Sequence, residues 1–378
     1  MCTVATWKDN GVAVVTSRNM DWHESMHAKL YVLPSGMTRE GLGKAPNSLN
    51  WTSKYASIVT VCYDAAPADG FNEKGLSAHM LWLAESNYPA DNPASKAISI
   101  SYWAQYYLDN FATVADAVSH TKSSPFSVLS ANIPGSEQKV TTHLALVDKS
   151  GDMAVFEFTD GKLHIWHSKN YKVMTNSPSF DKQLQNIKLY DGFGGSKPLP
   201  GSTEADDRFV RTAYYLDRLE KPKDLRGAIA GIVSVLRSAA QPYGKADPNR
   251  PNISPTLWRT VVDHTNLSYY FELTDSPYIT WVELRKFNLS DSSNVMMLDI
   301  EGDRGLMGDV SAKFAEAEPF GRAALAIGLV QEPAWSCAVS RAYNNWFHAR
   351  YIKQDSRLKG VAVLPIQDPQ KAADELRY

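Results

Sequence analysis

The chain opens on a strand whose first residue is a cysteine once the initiator methionine is removed, as is usual before a small residue. Cys2 to Lys8 alternate and are rich in β-branched side chains. Asp9-Asn10-Gly11 supplies a tight turn, because Asn-Gly tolerates positive φ, and a second strand, Val12 to Arg18, runs back. An N-terminal cysteine carries a thiol and a free α-amine on one residue. A free α-amine titrates near about 7.7–8.0 and a thiol near about 8.5. The amine is therefore substantially neutral in neutral solution and can act as general base for its own side chain. On position alone, a cysteine there is more often a small strand residue.

The rest of the chain reads as strands, then helices, then strands again. Strands are expected at Leu30–Leu33, Ser57–Tyr63 and Leu76–Leu83, and helices at Ile98–Asn110 and Thr113–Thr121. A meander of short antiparallel strands follows at Leu144–Asp148, Ala154–Thr159 and Leu163–His167, then a strand at Tyr171–Thr175. Two further helices are expected over Ala205–Leu219, with Ser202, Thr203 or Asp206 as caps, and Asp224–Ala239. Arg259–Asp263, Tyr269–Leu273 and Tyr278–Leu284 return to strand. This order predicts an α+β chain of antiparallel sheets packed face to face with helices outside.

Composition removes several function classes. Lysine and arginine total 39 and the acids 41, a net charge of −2 that does not fit nonspecific nucleic-acid binding. No apolar run approaches the roughly 18 residues that a membrane span needs. The first ten residues lack a basic segment followed by a long apolar one, which predicts a cytoplasmic chain; a periplasmic one remains open if Met1 was added to a trimmed mature chain. Three cysteines, Cys2, Cys62 and Cys337, are too few and too dispersed for a disulfide framework or a Cys-rich zinc site. Thirteen Phe, ten Trp and eighteen Tyr point to an aromatic-lined site for apolar or aryl ligands, although most of them serve to fill a core.

His23-Glu24-Ser25-Met26-His27 matches the short zinc-peptidase motif, in which both histidines face one metal from a helix. No third ligand follows at a suitable spacing, and the run leads at once into the strand-like Leu30-Tyr31-Val32-Leu33. Gly192-Phe193-Gly194-Gly195 completes neither a P-loop nor a dinucleotide fingerprint, and no G-x-S-x-G elbow is present.

Five pieces occur in one order: Met1-Cys2-Thr3; Ser17-Arg18-Asn19-Met20-Asp21-Trp22; Gly70-Phe71-Asn72-Glu73-Lys74-Gly75-Leu76; Thr175-Asn176-Ser177-Pro178; and Leu199-Pro200-Gly201 leading to Asp207-Arg208-Phe209-Val210-Arg211. Together they resemble the choloylglycine hydrolase family, which includes penicillin V acylases and conjugated bile salt hydrolases. The resemblance implies an N-terminal-nucleophile hydrolase with a four-layer αββα sandwich over residues 1–320. By the same resemblance Cys2 is the nucleophile, and Arg18 and Asp21 are the pair packed beside it. Asn176 supplies a side-chain amide to the oxyanion, and Trp82 a backbone N–H. Arg208 is the second active-site arginine, with Arg211 the alternative one helical turn later.

Physical chemistry fits these roles. The hairpin returns Arg18 toward Cys2, where a guanidinium favours thiolate over thiol. Asp21 can orient the α-amine, which takes the thiol proton as sulfur attacks an amide carbonyl. Losing one oxyanion donor raises a barrier by about 3–4 kcal/mol in comparable sites. Taken singly, each residue has a plainer use: Arg18 and Asp21 as a surface ion pair, Asn176 as a turn former, Arg208 on a solvated helix face.

Trp22 directly follows Asp21, and Trp82 lies in Met80-Leu81-Trp82-Leu83. This pair resembles acylases of Gram-negative bacteria that cleave penicillin V and long-chain N-acyl homoserine lactones. Two indoles can grip an aryl ring or line a slot for a fatty acyl chain. The short Asn186–Arg208 loop also points away from steroid conjugates, so bile salt hydrolysis is the alternative. The expected partner is a small acyl amide; no metal or organic cofactor is implied, and a homotetramer is implied by analogy alone.

The family-like part is expected to end near Pro319-Phe320. Residues 321–378 resemble a helix–strand–helix fragment of a metal-dependent amidohydrolase barrel, without metal ligands of its own. One such unit cannot close a barrel of eight, which predicts a non-catalytic extension.

Overall fold

Residues 2–134, 136–244, 254–320 and 341 are described in the computed structural model. The chain divides after Glu318, and the fold below is that of the first unit. The expected extension at 321–378 lies outside the described residues except for Arg341.

Two large sheets dominate. The first has seven strands in the order Val173–Met174, β1 (Cys2–Trp7), β2 (Val15–Asp21), Thr256–Asp263, Ser268–Leu273, Ile279–Glu283 and Gly308–Asp309. The second has nine, in the order Lys162–Ser168, Met153–Thr159, Thr142–Val147, Ser77–Trp82, Ala66–Asn72, Ser57–Cys62, Lys29–Leu33, Met296–Asp299 and Ala315–Glu316. Pairing in both is antiparallel except at the short Gly308–Asp309 edge. Helices α1 (Trp103–Asn110) and α2 (Val114–Ser123) cover the nine-stranded sheet. Helix α3 (Phe180–Asn186) packs on α4 (Ala205–Leu216), and α4 and α5 (Leu225–Ser238) cover β1 and β2. The result is the αββα sandwich that the resemblance implies.

A strand covered on both sides cannot show a one-sided polar pattern. Every residue of β1 and β2 is buried. Trp7 faces outward onto α5, where a Cβ on Gly231 would come within 2.7 Å of the indole, so only glycine lets helix and sheet approach this closely. The sheets are also joined by polar contacts: the Thr60 and Tyr269 hydroxyls meet at 2.7 Å, and His264 Nδ1 lies 2.8 Å from the Gly75 carbonyl.

Several boundaries differ from expectation. The second strand starts at Val15 rather than Val12, because the Asn10 side chain organises a wider loop. Its Nδ2 donates to the carbonyls of Trp7 and Ala13, and its Oδ1 accepts from the N–H groups of Val12 and Ala13. Residues 98–110 divide into a short strand, a 3₁₀ turn and α1. Helix α4 begins after Glu204 without a side-chain cap, whereas Asp224 caps α5 through the Gly227 N–H at 2.8 Å. The strand Ala66–Asn72 was not expected, since Pro67 and Gly70 lie within it. Pro67 falls where the register against Ser57–Cys62 shifts, and at Gly70 a Cβ would lie 2.4 Å from the Ile58 carbonyl.

The zinc-peptidase alternative at His23 and His27 is overturned. Residues 22–28 form no helix, so the two histidines do not share a helical face, and His27 sits at φ 49°. Glu24 instead accepts a hydrogen bond from the Tyr63 hydroxyl at 2.9 Å. Among the described residues no helix is long and apolar enough to cross a membrane.

Candidate active site

The register of the opening hairpin places the first charged group. Cys2 pairs with Met20 and Val4 with Arg18, so Arg18 is diagonal to Cys2 on the same face, not opposite it. That face looks across to the nine-stranded sheet. Arg18 is fully buried, and its Nη2 lies 3.5 Å from Cys2 Sγ and 2.8 Å from the Met80 carbonyl. Nη1 lies 3.2 Å from the Ala68 carbonyl, and the guanidinium sits 4.8 Å from the centre of the Trp258 ring.

These carbonyls explain an opening in the sheet. Ala66–Asn72 and Ser77–Trp82 pair only from Phe71↔Ser77 to Asp69↔His79. Continued by one step, Ala68 and Met80 would exchange both backbone hydrogen bonds. Both carbonyls go to Arg18 instead. The guanidinium of one sheet wedges between two strands of the other, and a cavity of about 150 Å³ opens beside it. Cys2, Arg18, Met20, Cys62, Met80 and Trp82 line it, as do Trp22, Met26, Tyr63, Ile133 and Val140.

Burial alone would push the Arg18 guanidinium down, but the charges of Cys2 and Asp69 outweigh it and hold its pKa above the ordinary value. Asp69 is fully buried with Oδ1 3.9 Å from Arg18 Nη1. It accepts hydrogen bonds from Thr260 at 2.8 Å and Tyr269 at 2.5 Å and is paired with His79 Nδ1. Burial raises its pKa, but His79 and Arg18 prevail and keep it below the usual carboxylate range. Cys62 lines the same cavity, yet burial pushes its thiol up to about 12. It is a protonated and poor nucleophile.

Helix α4 delivers the second arginine. Arg208 is fully buried and donates to the Cys2 carbonyl at 2.6 Å, Thr3 Oγ1 at 2.5 Å and Asn176 Oδ1 at 2.9 Å. Asp21 Oδ2 stands 3.9 Å from it, and Asp21 Oδ1 accepts from Thr256 at 2.7 Å. Burial lowers the Arg208 pKa, with Asp21 and Cys2 opposing. Arg211 lies elsewhere, donating to the carbonyls of Ser238, Pro200 and Ser202. Asn176 Oδ1 also accepts the Cys2 N–H at 2.5 Å, while Nδ2 donates to the Trp82 carbonyl at 2.6 Å. Leu83 N–H donates to Thr141, so Trp82↔Thr142 is a non-hydrogen-bonded pair, and the Trp82 N–H and carbonyl both turn toward Asn176.

The two indoles meet at the cavity mouth, ring centres 5.5 Å apart and tilted by 46°. Trp22 Nε1 donates to the Tyr63 hydroxyl at 2.8 Å. Tyr63 and Asp64 form the turn between two strands with φ of 55° and 53°, an unusual pair of non-glycine left-handed residues. The geometry therefore gathers Cys2, Arg18, Asp21, Asn176, Arg208, Trp22 and Trp82 at one place. It adds Asp69, Tyr63 and the carbonyls of Ala68 and Met80, which the sequence reading missed. A single aspartate within Ala66-Pro67-Ala68-Asp69-Gly70-Phe71 was the available signal for a buried carboxylate.

A family profile described as linear amide C–N hydrolases of the choloylglycine hydrolase family matches residues 2–298. The chain is 42% identical over 328 residues to a penicillin V acylase of Pectobacterium atrosepticum, covering 81% of this chain and 87% of that one. It is 25% identical over 317 residues to a bile salt hydrolase/transferase of Clostridium perfringens, covering 76% and 94%. Among solved structures, a penicillin V acylase from Agrobacterium tumefaciens superposes with a TM-score of 0.77 at 41% identity, covering 84% of this chain and 98% of that one.

Proposed function

The chain belongs to the choloylglycine hydrolase family of linear amide C–N hydrolases, and from that premise we propose that it uses Cys2 as nucleophile and the Cys2 α-amine as general base. Its substrates are aryl-acyl and fatty-acyl amides, penicillin V and N-acyl homoserine lactones among them. The observation that carries this reading is the position of Cys2 Sγ. It lies 3.5 Å from a buried guanidinium on the wall of an apolar cavity, and two facing indoles flank the mouth.

Removal of Met1 frees the amine that Asn176 Oδ1 already faces. As Sγ attacks the substrate carbonyl carbon, the thiol proton passes to this amine, and Arg18 balances charge on sulfur. The carbonyl π electrons move to oxygen. The oxyanion is met by the Trp82 N–H and by the second hydrogen of Asn176 Nδ2, whose first is held by the Trp82 carbonyl. When the tetrahedral species collapses, the C–N bond breaks and the leaving amine takes the proton back. Water then attacks the thioester by the same route, releasing the acid and restoring the thiol. Asp21 and Arg208 fix the first residues of β1, holding sulfur and amine in one geometry.

Intact mass is expected to lack Met1, and Cys2→Ala is expected to abolish hydrolysis; a fully active Cys2→Ala protein overturns the assignment. A kcat/KM comparison of penicillin V, decanoyl homoserine lactone and glycocholate is expected to rank glycocholate last. A preference for glycocholate reverses the substrate reading. We extend the reading to a homotetramer, checked by light scattering.

A further inference from the structure

Behind Asn176 lies a buried His–carboxylate pair that the steps above do not use. His143, on strand Thr142–Val147, and Glu157, on the neighbouring strand Met153–Thr159, are each 1% exposed. His143 Nδ1 lies 2.8 Å from Glu157 Oε1, and Nε2 lies 2.8 Å from the carbonyl of Thr175, the residue before Asn176. The Thr175 carbonyl only accepts, so in that contact the ring N–H at Nε2 is the donor. Glu157 in turn accepts the Phe180 N–H through both oxygens at 3.1 Å, at the start of α3. From α3, Gln183 Nε2 reaches the Asn176 carbonyl at 3.1 Å and Thr175 Oγ1 at 3.0 Å. The backbone on both sides of the Asn176 Cα is thus held from one buried His–carboxylate pair, directly and through the helix.

We propose that His143, paired with Glu157, is a positioning residue that sets the aim of the Asn176 amide at the oxyanion. It touches no reacting atom. Strand Thr142–Val147 is also the partner of Ser77–Trp82, so the His143 strand and Trp82 belong to one sheet, while Asn176 follows a strand of the other. The Thr175 carbonyl is where the two oxyanion donors are brought into mutual register. Displacement of a group at a reacting centre by about 1 Å reduces rate by roughly 10²-fold, and the effect falls on kcat when the lost contact exists only in the transition state.

This inference rests on the oxyanion role of Asn176, and a double-mutant cycle separates the two. His143→Ala is expected to lower kcat for penicillin V by roughly 10- to 100-fold with KM within about twofold. Alkylation of Cys2 by iodoacetamide, followed by mass spectrometry, is expected to keep its wild-type rate. His143→Gln, whose amide N–H can still reach the Thr175 carbonyl, is expected to recover most of the loss. Glu157→Gln, which keeps an acceptor for the Phe180 N–H, is expected to fall between. In an Asn176→Ala background, His143→Ala is expected to lower kcat less than about threefold further, because there is no amide left to aim. An equal fall in both backgrounds overturns the proposal in favour of a structural role, as does an unchanged kcat in His143→Ala. An Asn176→Ala enzyme with full kcat overturns the oxyanion assignment itself, and the proposal with it.

Discussion

The floor and the mouth of the cavity are built on opposite principles. At the floor, Arg18, Asp69 and His79 are fully buried, and the guanidinium is held by carbonyls from two diverging strands. At the mouth, Trp22, Tyr63 and Trp82 are partly exposed and fix one another through ring contact and one hydrogen bond. The backbone sets the floor, so its geometry is as rigid as the sheets. Side chains set the mouth, on a turn with two left-handed residues, so it can vary without unfolding what lies beneath. On the proposed reading, chemistry is anchored and selectivity is adjustable.

The hardest test of this contrast is Arg18→Met. The floor should fail both as a site and as structure. Loss of the charge beside sulfur is expected to lower kcat/KM by roughly 10²–10³-fold. Leaving Asp69 and two carbonyls without their buried partner is expected to cost about 3–5 kcal/mol, read by denaturant unfolding. An active and stable Arg18→Met protein would erase the distinction.

Acid probes the interior by another route. His264 is fully buried, and burial lowers its pKa to about 4 from 6.5. Its depressed folded value means that the unfolded chain takes up a proton that the native one refuses. The stability is therefore fully present above about pH 6.5 and is lost as pH falls toward about 4, a change of about 3 kcal/mol in total. His264→Gln is expected to flatten that part of the stability–pH curve, measured by urea unfolding at stepped pH. An unchanged slope sinks this assignment.

The smallest effect is expected at the mouth. Tyr63→Phe removes the acceptor for Trp22 Nε1 and the donor to Glu24 while keeping the ring. Of these two hydrogen bonds the one from Trp22 holds the mouth, and at a part-exposed site it is worth about 1 kcal/mol, so KM for an aryl-acyl amide should rise roughly fivefold with kcat unchanged and the unfolding midpoint only slightly lowered. A collapse in stability would show that the mouth is as structural as the floor.

What could be read from the sequence follows the same division. Cys2, Arg18, Asp21, Asn176 and Arg208 carry motif-like neighbours, and the strand–helix–strand order pointed to the sandwich. The three-residue shift of β2 was not legible, because it depends on four hydrogen bonds of the Asn10 side chain rather than on hydrophobic alternation. Asp69 was hidden for a related reason. A lone acid in a strand broken by Pro67 and Gly70 gains its meaning only when the other sheet brings Arg18, Thr260 and Tyr269 to it. His23 and His27 erred in the opposite direction, since a five-residue match says nothing about the helix that the chemistry requires.

The wedge formed by Arg18 also has a consequence for the life of the chain before it is folded. Sulfur and guanidinium belong to one sheet, but the carbonyls that hold the guanidinium belong to the other. Until the two sheets dock, the guanidinium has no fixed place beside the thiol, and a newly made chain carries an ordinary cysteine. On the proposed mechanism, reactivity toward acyl groups is thereby reserved for molecules that have completed their tertiary assembly.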